Sequence, residues 1–270
     1  MKVSIITPTY NSAETICINL LSVSSQTYGN IEHIIVDNCS KDATLNRIAE
    51  FKHDIVVISE PDKGIYDAMN KGIGKATGDI IGILNSDDYL ATEHTIAEVV
   101  AAFEENSCDG TYGDLLYVNR KNTSKITRVW IAGHCKENKL FTGWMPPHPT
   151  IFLKREVYKN CGLFKCNLKY AADYDMILRL LLTHKIRLHY IEKIIVYMRS
   201  GGCSNKNWFR RISVNREDVK AWDSVSEHIR WYTRYLKPGR KLVQYLIKYC
   251  KIKWLFHVPP TDVKNSYINK

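Results

Sequence analysis

The regular alternation of short apolar runs with amphipathic segments over residues 1–90 constrains the fold more than any other feature of this sequence. Each apolar run has the length of a strand, and a segment of helical periodicity separates it from the next. Strands and helices that alternate at this spacing build right-handed βαβ units and a parallel sheet. The sequence therefore predicts an α/β fold, with strands at residues 2–7, 31–36, 55–58 and 80–84 and helices at residues 13–26, 43–51 and 64–78. We expect Pro8 to end the first strand.

Polar side chains follow three of these predicted strands. A buried strand should not carry two unpaired charges, so we expect Asp87 and Asp88 just past the strand at 80–84. That position is the crevice at the carboxyl ends of parallel strands, where α/β sheets bind ligands. Two carboxylates there suit a divalent cation that holds substrate phosphates, although Asp and Ser also form ordinary turns. The residues of interest at these strand ends are Pro8, Tyr10, Asn11, Asp37, Asn85, Asp87 and Asp88.

Two common phosphate-binding motifs are missing from the sequence. No Gly-x-Gly-x-x-Gly follows the first strand, and there is no Gly-Lys-Ser/Thr loop. Their absence argues against a dinucleotide-binding fold and a P-loop. Phosphate recognition is then left to a metal ion and to Lys63 or Lys71.

Beyond Asp88 the pattern is less regular and predicts a more mixed region. His148 lies there in a proline-stiffened loop, where it could contact a ligand or serve only the structure of the loop. The predicted strands are residues 110–119, 125–131, 150–153, 186–190 and 194–198, and the predicted helices are residues 95–105, 155–161 and 176–184.

The positive charge of the chain is concentrated near its C-terminus. Residues 1–200 hold 23 Lys+Arg and 23 Asp+Glu, so the whole net charge of +10 lies in residues 201–270. Two helices are predicted there, at residues 208–235 and 240–256, and the second is basic and amphipathic. Such a helix can lie on an anionic membrane surface. A nucleic-acid-binding surface, a helix packed on its own domain and a solvated tail are the alternatives. We expect a domain of residues 1–200, with halves 1–90 and 91–200, and a basic helical tail of residues 201–270.

Composition limits the cellular setting. An apolar content of 45% is enough for a full core. We find no signal peptide and no apolar run long enough for a transmembrane helix. The eight cysteines are scattered without the spacing of a zinc site, which favours reduced thiols. The expectation is a cytoplasmic protein associated with the inner face of the cell membrane.

Several segments together resemble family 2 of the glycosyltransferases, the inverting nucleotide-sugar enzymes with a GT-A fold. Residues 60–70 are also similar to a subgroup that acts in bacterial surface-polysaccharide assembly, as in colanic acid synthesis. The resemblance implies a mostly parallel central sheet flanked by helices. The matching segments are Ile6-Thr7-Pro8-Thr9-Tyr10-Asn11, Gln26, residues 36–42, the glycine-containing segment 70–78 and Leu84-Asn85-Ser86-Asp87-Asp88.

The resemblance implies a nucleotide pocket at the first two strand ends. Pro8, Tyr10 and Asn11 would line this pocket, with Tyr10 against the base. Asp37 would accept a hydrogen bond from a ring N–H of the base, as found in uracil or guanine.

The resemblance also implies a diphosphate and metal site. Lys63 and Asn70 would lie near the diphosphate. Asp87 and Asp88 would form the Asp-x-Asp-type element, one carboxylate near the ribose or sugar and one on Mn²⁺ or Mg²⁺. The family has an acid where this chain has Asn85, whose amide is a neutral hydrogen-bonding group.

An inverting enzyme needs a base that deprotonates the acceptor hydroxyl. The family places this base in a Glu-Asp pair, and Asp173 aligns with it, while Ala172 replaces the Glu. Asp175 is the alternative base. Asp173 could instead serve only as a helix N-cap.

The resemblance as a whole implies a metal-dependent transferase that moves a sugar from a nucleotide sugar, preferably a UDP-sugar, to a glycan. The basic tail suggests that the glycan is carried on polyprenyl diphosphate and that the tail contacts the membrane peripherally. Nucleic acid is not an expected partner. Two rivals stay open: a nucleic-acid-binding protein that uses the basic tail, and a nonenzymatic nucleotide-sugar sensor.

Overall fold

The structure is a computed structural model of the 270-residue chain. It describes residues 1–51, 54–201 and 216–225, together with the single residues Tyr232, Thr233, Leu236 and Gln244. Within this part of the chain a nine-stranded sheet is flanked by helices.

The first half of the sheet is parallel, as predicted. Its elements are β1 (Val3–Thr9), α1 (Ile16–Ser24), β2 (Ile31–Asp37), α2 (Thr44–Ala49), β3 (Ile55–Ser59), α3 (Ile65–Lys75) and β4 (Ile80–Ile83). The strands lie in the order β3-β2-β1-β4, and each neighbouring pair is parallel. Their carboxyl ends therefore lie along one edge of the sheet, which we call the carboxyl edge.

Strand β1 extends past Pro8, so the prediction that this proline ends the strand is wrong. Pro8 lies opposite Val36 of β2. The carbonyl of Ile6 accepts a hydrogen bond from the N–H of Leu84, so alternate residues of β1 direct their main-chain groups towards β4. Because β4 ends at Ile83, the missing N–H of Pro8 leaves no ladder partner unsatisfied.

Helix α3 packs closely on the sheet through a glycine. A Cβ atom at Gly72 would lie only 2.3 Å from Cγ2 of Ile6, a side chain that is completely buried. Its buried neighbours on the helix, Ala68, Met69 and Ile73, follow the helical repeat. This close contact fixes where α3 begins at the carboxyl edge.

The second half of the sheet is mixed. Its elements are β5 (Tyr89–Leu90), α4 (Thr95–Glu105), β6 (Gly110–Val118), β7 (Ile126–Trp130), α5 (Glu137–Leu140), β8 (Phe152–Lys154), α6 (Arg155–Cys161), α7 (Ala172–Leu178) and β9 (Leu188–Arg199). Strand β8 is antiparallel to β4 and β6, while β9 is parallel to β6. The two strands predicted at 186–190 and 194–198 form the single strand β9, which stays paired with β6 through register shifts beside Asp114.

Helix α7 begins at Ala172, four residues before the predicted start at 176, and continues as a π-helical turn at Arg179–Thr183. The candidate base Asp173 thus lies in its first turn. The start of this helix is therefore part of the candidate site.

One hydrophobic core joins the two halves of the chain. Its largest cluster contains Ile6 and Val36 from the first half and Tyr174 from the second. Ala221 and Trp222 belong to the same cluster. Residues 216–225, part of the predicted tail, therefore pack within the domain.

Most of the predicted tail lies outside the described residues. Of the helix predicted at 208–235, residues 216–222 are helical in the structure. The helix predicted at 240–256, apart from Gln244, and the membrane contact expected of it fall outside the described part of the chain. Among the residues that are described, no helix is both long and apolar enough to cross a bilayer.

Candidate active site

The loop after β1 is tied to the loop after β2. Asn11 adopts a left-handed φ of 48°, which asparagine tolerates better than most residues. Its N–H donates to Oγ of Ser40 at 2.8 Å, and its Oδ1 accepts from the N–H of Lys41 at 2.9 Å. Tyr10 is 55% exposed and presents its ring at the carboxyl edge, whereas Pro8 is buried within β1.

Asp37 is a completely buried carboxylate at the end of β2. It accepts hydrogen bonds from the N–H of Ser40 at 2.9 Å, from Oγ of Ser40 at 2.5 Å and from Oγ of Ser59 at 2.8 Å. A carboxylate has about four acceptor positions, so these three bonds leave room for one further donor. Asp37 thus holds its loop, and its remaining acceptor position lies on a carboxylate with no solvent-exposed surface.

Asp87 and Asp88 lie just past β4, as predicted. Asp88 is fully buried and accepts hydrogen bonds from Nδ2 of Asn85 at 2.9 Å and from the N–H of Arg199 at 3.3 Å. Burial, and then the charge of Asp87, raise the pKa of Asp88 well above its usual value. Burial also raises the pKa of Asp87, an effect opposed by Arg120, whose Nη1 lies 3.5 Å from the Asp87 carboxylate.

Polar atoms without partners surround this carboxylate pair. Among the described residues, Oδ1 of Asn85 and both Nε and Nη2 of Arg199 are buried without a hydrogen bond. Nη1 of Arg199 donates to the carbonyl of Arg120 at 3.0 Å. Buried polar groups without partners cost free energy, which points to a ligand that satisfies them. Carboxylate and amide oxygens suit a hard cation, and the guanidinium N–H groups suit an anion.

The described residues contain no group of three His, Cys, Asp or Glu side chains that could hold a metal by themselves. Mg²⁺ sites that bind phosphates often use only one or two carboxylates, and phosphate oxygens and waters complete the coordination. Asp87, Asp88 and Oδ1 of Asn85 therefore fit a metal that is bound together with a phosphorylated ligand.

The start of α3 lies near the end of β2. The N–H of Glu60 donates to the carbonyl of Asp37 at 3.0 Å, and Asp62 accepts from the N–H of Gly64 at 2.7 Å. Between these contacts, Lys63 is exposed. Lys71 is committed elsewhere, because its ammonium group lies 2.9 Å from Glu60 and donates to the carbonyl of Pro61 at 2.7 Å. Of the two candidate lysines, Lys63 is the one with an available charge.

The side chain of Asn70 holds the main chain of Phe164. Its Nδ2 donates to the carbonyl of Phe164 at 2.8 Å, and its Oδ1 accepts from the N–H of the same residue at 3.0 Å. Both functional groups of the amide are thus used within the protein. Asn70 was predicted to lie near the diphosphate. In the structure its side chain holds the main chain of Phe164 in position.

Asp173 reaches the same region from α7. Its Oδ1 accepts from the N–H of Tyr174 at 2.8 Å and from the hydroxyl of Tyr66, in the first turn of α3, at 3.2 Å. The ring of Tyr66 stacks on Phe164 with centroids 5.7 Å apart, and His148 meets Phe164 edge-on at 5.4 Å. Burial lowers the pKa of His148, with Asp173 opposing, so the imidazole is neutral at pH 7.

Asp175, the alternative base, is completely buried between two cations. Nζ of Lys165 lies 2.9 Å from one carboxylate oxygen, and Nε of Arg179 lies 2.8 Å from the other. Both oxygens are therefore engaged in ion pairs. The geometry favours Asp173, since no described residue donates to its Oδ2.

Tyr66, Arg120 and Glu217 are among the residues of this region that were not predicted from the sequence. Tyr66 lies within the family-like segment 60–70 and could have been found there. Arg120 follows β6 in a hairpin. Glu217, whose carboxylate accepts from the N–H groups of Tyr170 and Ala171, lies 44 residues beyond Asp173. No sequence spacing relates Arg120 or Glu217 to the carboxylates.

The family model and the similar proteins of known sequence all point to glycosyltransferases. A sequence model of glycosyl transferase family 2 matches residues 4–162. A Mycobacterium bovis protein named PGL/p-HBAD biosynthesis glycosyltransferase is 29% identical over 222 residues, which are 78% of this chain and 84% of that protein. An uncharacterized glycosyltransferase of Mycobacterium tuberculosis is 31% identical over 180 residues, which are 66% of this chain and 68% of that protein.

Solved structures share the fold. S. aureus TarS in complex with UDP-GlcNAc aligns with a TM-score of 0.66 and 18% identity, over 92% of this chain and 73% of that chain. The mannosyltransferase PcManGT from Pyrobaculum calidifontis, in complex with GDP-Man and Mn²⁺, aligns with a TM-score of 0.62 and 16% identity, over 99% of this chain and 79% of that chain. These likenesses confirm the predicted α/β fold of GT-A type.

Proposed function

Because the chain belongs to glycosyl transferase family 2, we propose that it is an inverting, metal-dependent hexosyltransferase that uses a nucleotide sugar, preferably a UDP-sugar. The proposed acceptor is a glycan carried on polyprenyl diphosphate, and the proposed setting is surface polysaccharide biosynthesis. One observation carries the proposal: the carboxylates of Asp37, Asp87 and Asp88 lie at the carboxyl edge, and Nε and Nη2 of Arg199, near Asp87 and Asp88, are buried without a hydrogen-bond partner among the described residues.

The nucleoside would bind at the ends of β1 and β2. Tyr10 offers an exposed ring for stacking on the base, and Asn11 holds the loop that carries this ring. Asp37 has one acceptor position left for a base N–H. A ring N–H beside a carbonyl occurs in uracil as well as in guanine, so the preference for UDP rests on the family.

The diphosphate would bind between Lys63 and Arg199, whose N–H donors match phosphate oxygens. Asp87 and Asp88 would hold Mn²⁺ or Mg²⁺, with Oδ1 of Asn85 close by. When bound, the metal supplies stabilisation of the negative charge that develops on the leaving nucleoside diphosphate. Arg120 forms an ion pair with Asp87 in this structure and would release the carboxylate when the metal binds.

Asp173 would act as the general base. Its Oδ1 is fixed by Tyr66 and by the main chain, which leaves Oδ2 to take the proton of the acceptor hydroxyl. The neutral His148 and the ring of Phe164 would form the adjoining wall of the acceptor site.

A thermal-shift panel tests the donor. We expect UDP-sugars with Mn²⁺ to raise the melting temperature more than GDP-sugars, since the family favours UDP. A ligand that binds only the native state stabilises it by about 2.7 kcal/mol when its concentration is 100 times its Kd. A panel in which no nucleotide sugar changes the melting temperature would contradict the proposed donor site.

Asp173→Asn tests the base. The amide oxygen of the variant can still accept both hydrogen bonds, so the donor-induced thermal shift should persist while turnover falls by roughly 10² to 10⁴. The exposed Asp54, at the opposite end of the sheet, gives the matched control Asp54→Asn, which should turn over normally. Near-normal turnover of Asp173→Asn would remove Asp173 from this role.

Liposome flotation tests the membrane contact. The full chain should float with anionic vesicles, and a chain lacking residues 238–270 should not. Equal recovery of both forms in the unbound fraction would contradict the proposed contact.

A further inference from the structure

The segment of residues 216–225 is locked onto α7. Trp222 is 2% exposed, its ring lies 5.3 Å from that of Phe141, and its indole N–H donates to the hydroxyl of Tyr174 at 3.1 Å. Ala221 beside it is completely buried. This packing resembles that of a core helix, so the position of the segment relative to α7 is fixed.

Glu217 uses this fixed position to bind the main chain just before α7. Its Oε2 accepts from the N–H of Tyr170 at 2.6 Å and from the N–H of Ala171 at 3.1 Å. Both N–H groups precede the first helical residue, Ala172, so the helix itself provides no partner for them. One carboxylate therefore holds the turn from which α7 starts.

The same turn sets the position of Asp173. Asp173 follows Ala171 by two residues, and its Oδ1 is held on the other side by the hydroxyl of Tyr66. Burial, then Asp173 and, more weakly, Glu217 raise the pKa of the Tyr66 phenol, so Tyr66 stays a neutral hydrogen-bond donor. The main chain of the turn and the side chain of Asp173 are thus fixed by two separate elements, the C-terminal segment and α3.

We propose that Glu217 is a positioning residue for Asp173. By holding the turn before α7, the segment of residues 216–225 keeps Asp173 in place for catalysis. This inference rests on the proposed function, because positioning matters for the rate only if Asp173 is the base. Without the carboxylate, two N–H groups lose their acceptor and the start of α7 can shift. A misplacement of about 1 Å at a reacting group can cost about 10²-fold in rate.

Three variants of the full chain test the role of Glu217. Glu217→Ala removes the acceptor, and kcat should fall roughly 10- to 100-fold while the KM for the donor changes less than about 2-fold. Glu217→Gln retains an acceptor oxygen and should restore kcat to within about 3-fold of the native value. Asp223→Ala removes an exposed acid of the same segment and should leave both constants unchanged.

A second measurement does not depend on catalysis. Hydrogen exchange of a peptide covering residues 168–176 should be at least about 10-fold faster in Glu217→Ala than in the native chain or Glu217→Gln. If the native chain transfers sugar but Glu217→Ala keeps its kcat, the inference is wrong and the proposed function stands. If the native chain transfers no sugar, the proposed function fails, and the exchange rates alone decide whether Glu217 holds the turn. Equal exchange in all three proteins would overturn the inference.

Discussion

Replacing Trp222 by alanine tests whether residues 216–225 belong to the folded domain. The side chain is 2% exposed, packs against Phe141 and donates to Tyr174, so its loss removes a large buried ring and the hydrogen bond that it donates to the hydroxyl of Tyr174. A Trp→Ala change in a core costs about 3–5 kcal/mol, a large part of the 5–15 kcal/mol that typically stabilises a domain. Trp222→Phe keeps most of the apolar area and loses the hydrogen bond, which should cost roughly 1 kcal/mol.

Urea denaturation of the purified chain, followed by tryptophan fluorescence and by circular dichroism, measures both costs. Leu163→Ala is the matched control, because Leu163 is 43% exposed and its truncation should change the free energy of unfolding by less than about 0.5 kcal/mol. If Trp222→Ala unfolded at the same urea concentration as the native chain, the segment could not be part of the core. The reasoning about Glu217 would then lose its structural basis.

Three further predictions concern other parts of the molecule. Burial raises the pKa of Glu32, but hydrogen bonds from Ser4, Thr77 and Lys2 outweigh it and lower the pKa to about 2. Because this pKa lies below the ordinary glutamate value of 4.5, the ionised carboxylate stabilises the fold above pH 4.5. Glu32→Gln should therefore cost roughly 2–3 kcal/mol at pH 7, and urea titrations should show the difference vanishing as the pH falls towards 2. Gly72→Ala forces a Cβ against Ile6 and should destabilise by about 1–3 kcal/mol in thermal melts, whereas Gly74→Ala, with nothing within 4 Å, should be neutral or stabilising. Asp88→Asn removes a buried charge beside Asp87, so it should raise the melting temperature of the ligand-free protein and abolish the additional rise produced by Mn²⁺ with a nucleotide sugar. Persistence of that metal-dependent rise would exclude Asp88 as a metal ligand.

Local pattern predicted the secondary structure well over the first four strands. The parallel strands β1–β4 and the helices between them follow from the period of their apolar residues, which reflects which face of each element is buried. The prediction failed where a neighbouring element changed the outcome. Pro8 is tolerated within β1 because the pairing of β1 with β4 stops before it reaches Pro8. Strand β9 is continuous because it stays paired with β6 through the register shifts beside Asp114.

The sequence by itself determined the parallel sheet, the family and the placing of Asp37, Asp87 and Asp88 at strand ends. These properties depend on periodicity and on the order of residues along the chain. Only the tertiary structure decided what each polar side chain binds. In the folded chain Asn70 binds the main chain of Phe164, and Asp175 pairs with two cations. Folding also places Arg199 beside Asp88, and Glu217 beside the turn before Asp173.

The physical reason is the distance along the chain between these partners. Arg199 and Asp88 are 111 residues apart, and Glu217 and Ala171 are 46 residues apart. Contacts between such residues form only when separate elements pack on one core, and no local repeat encodes the packing. The carboxylates of the site could therefore be predicted from the sequence, while the groups that position and neutralise them could not.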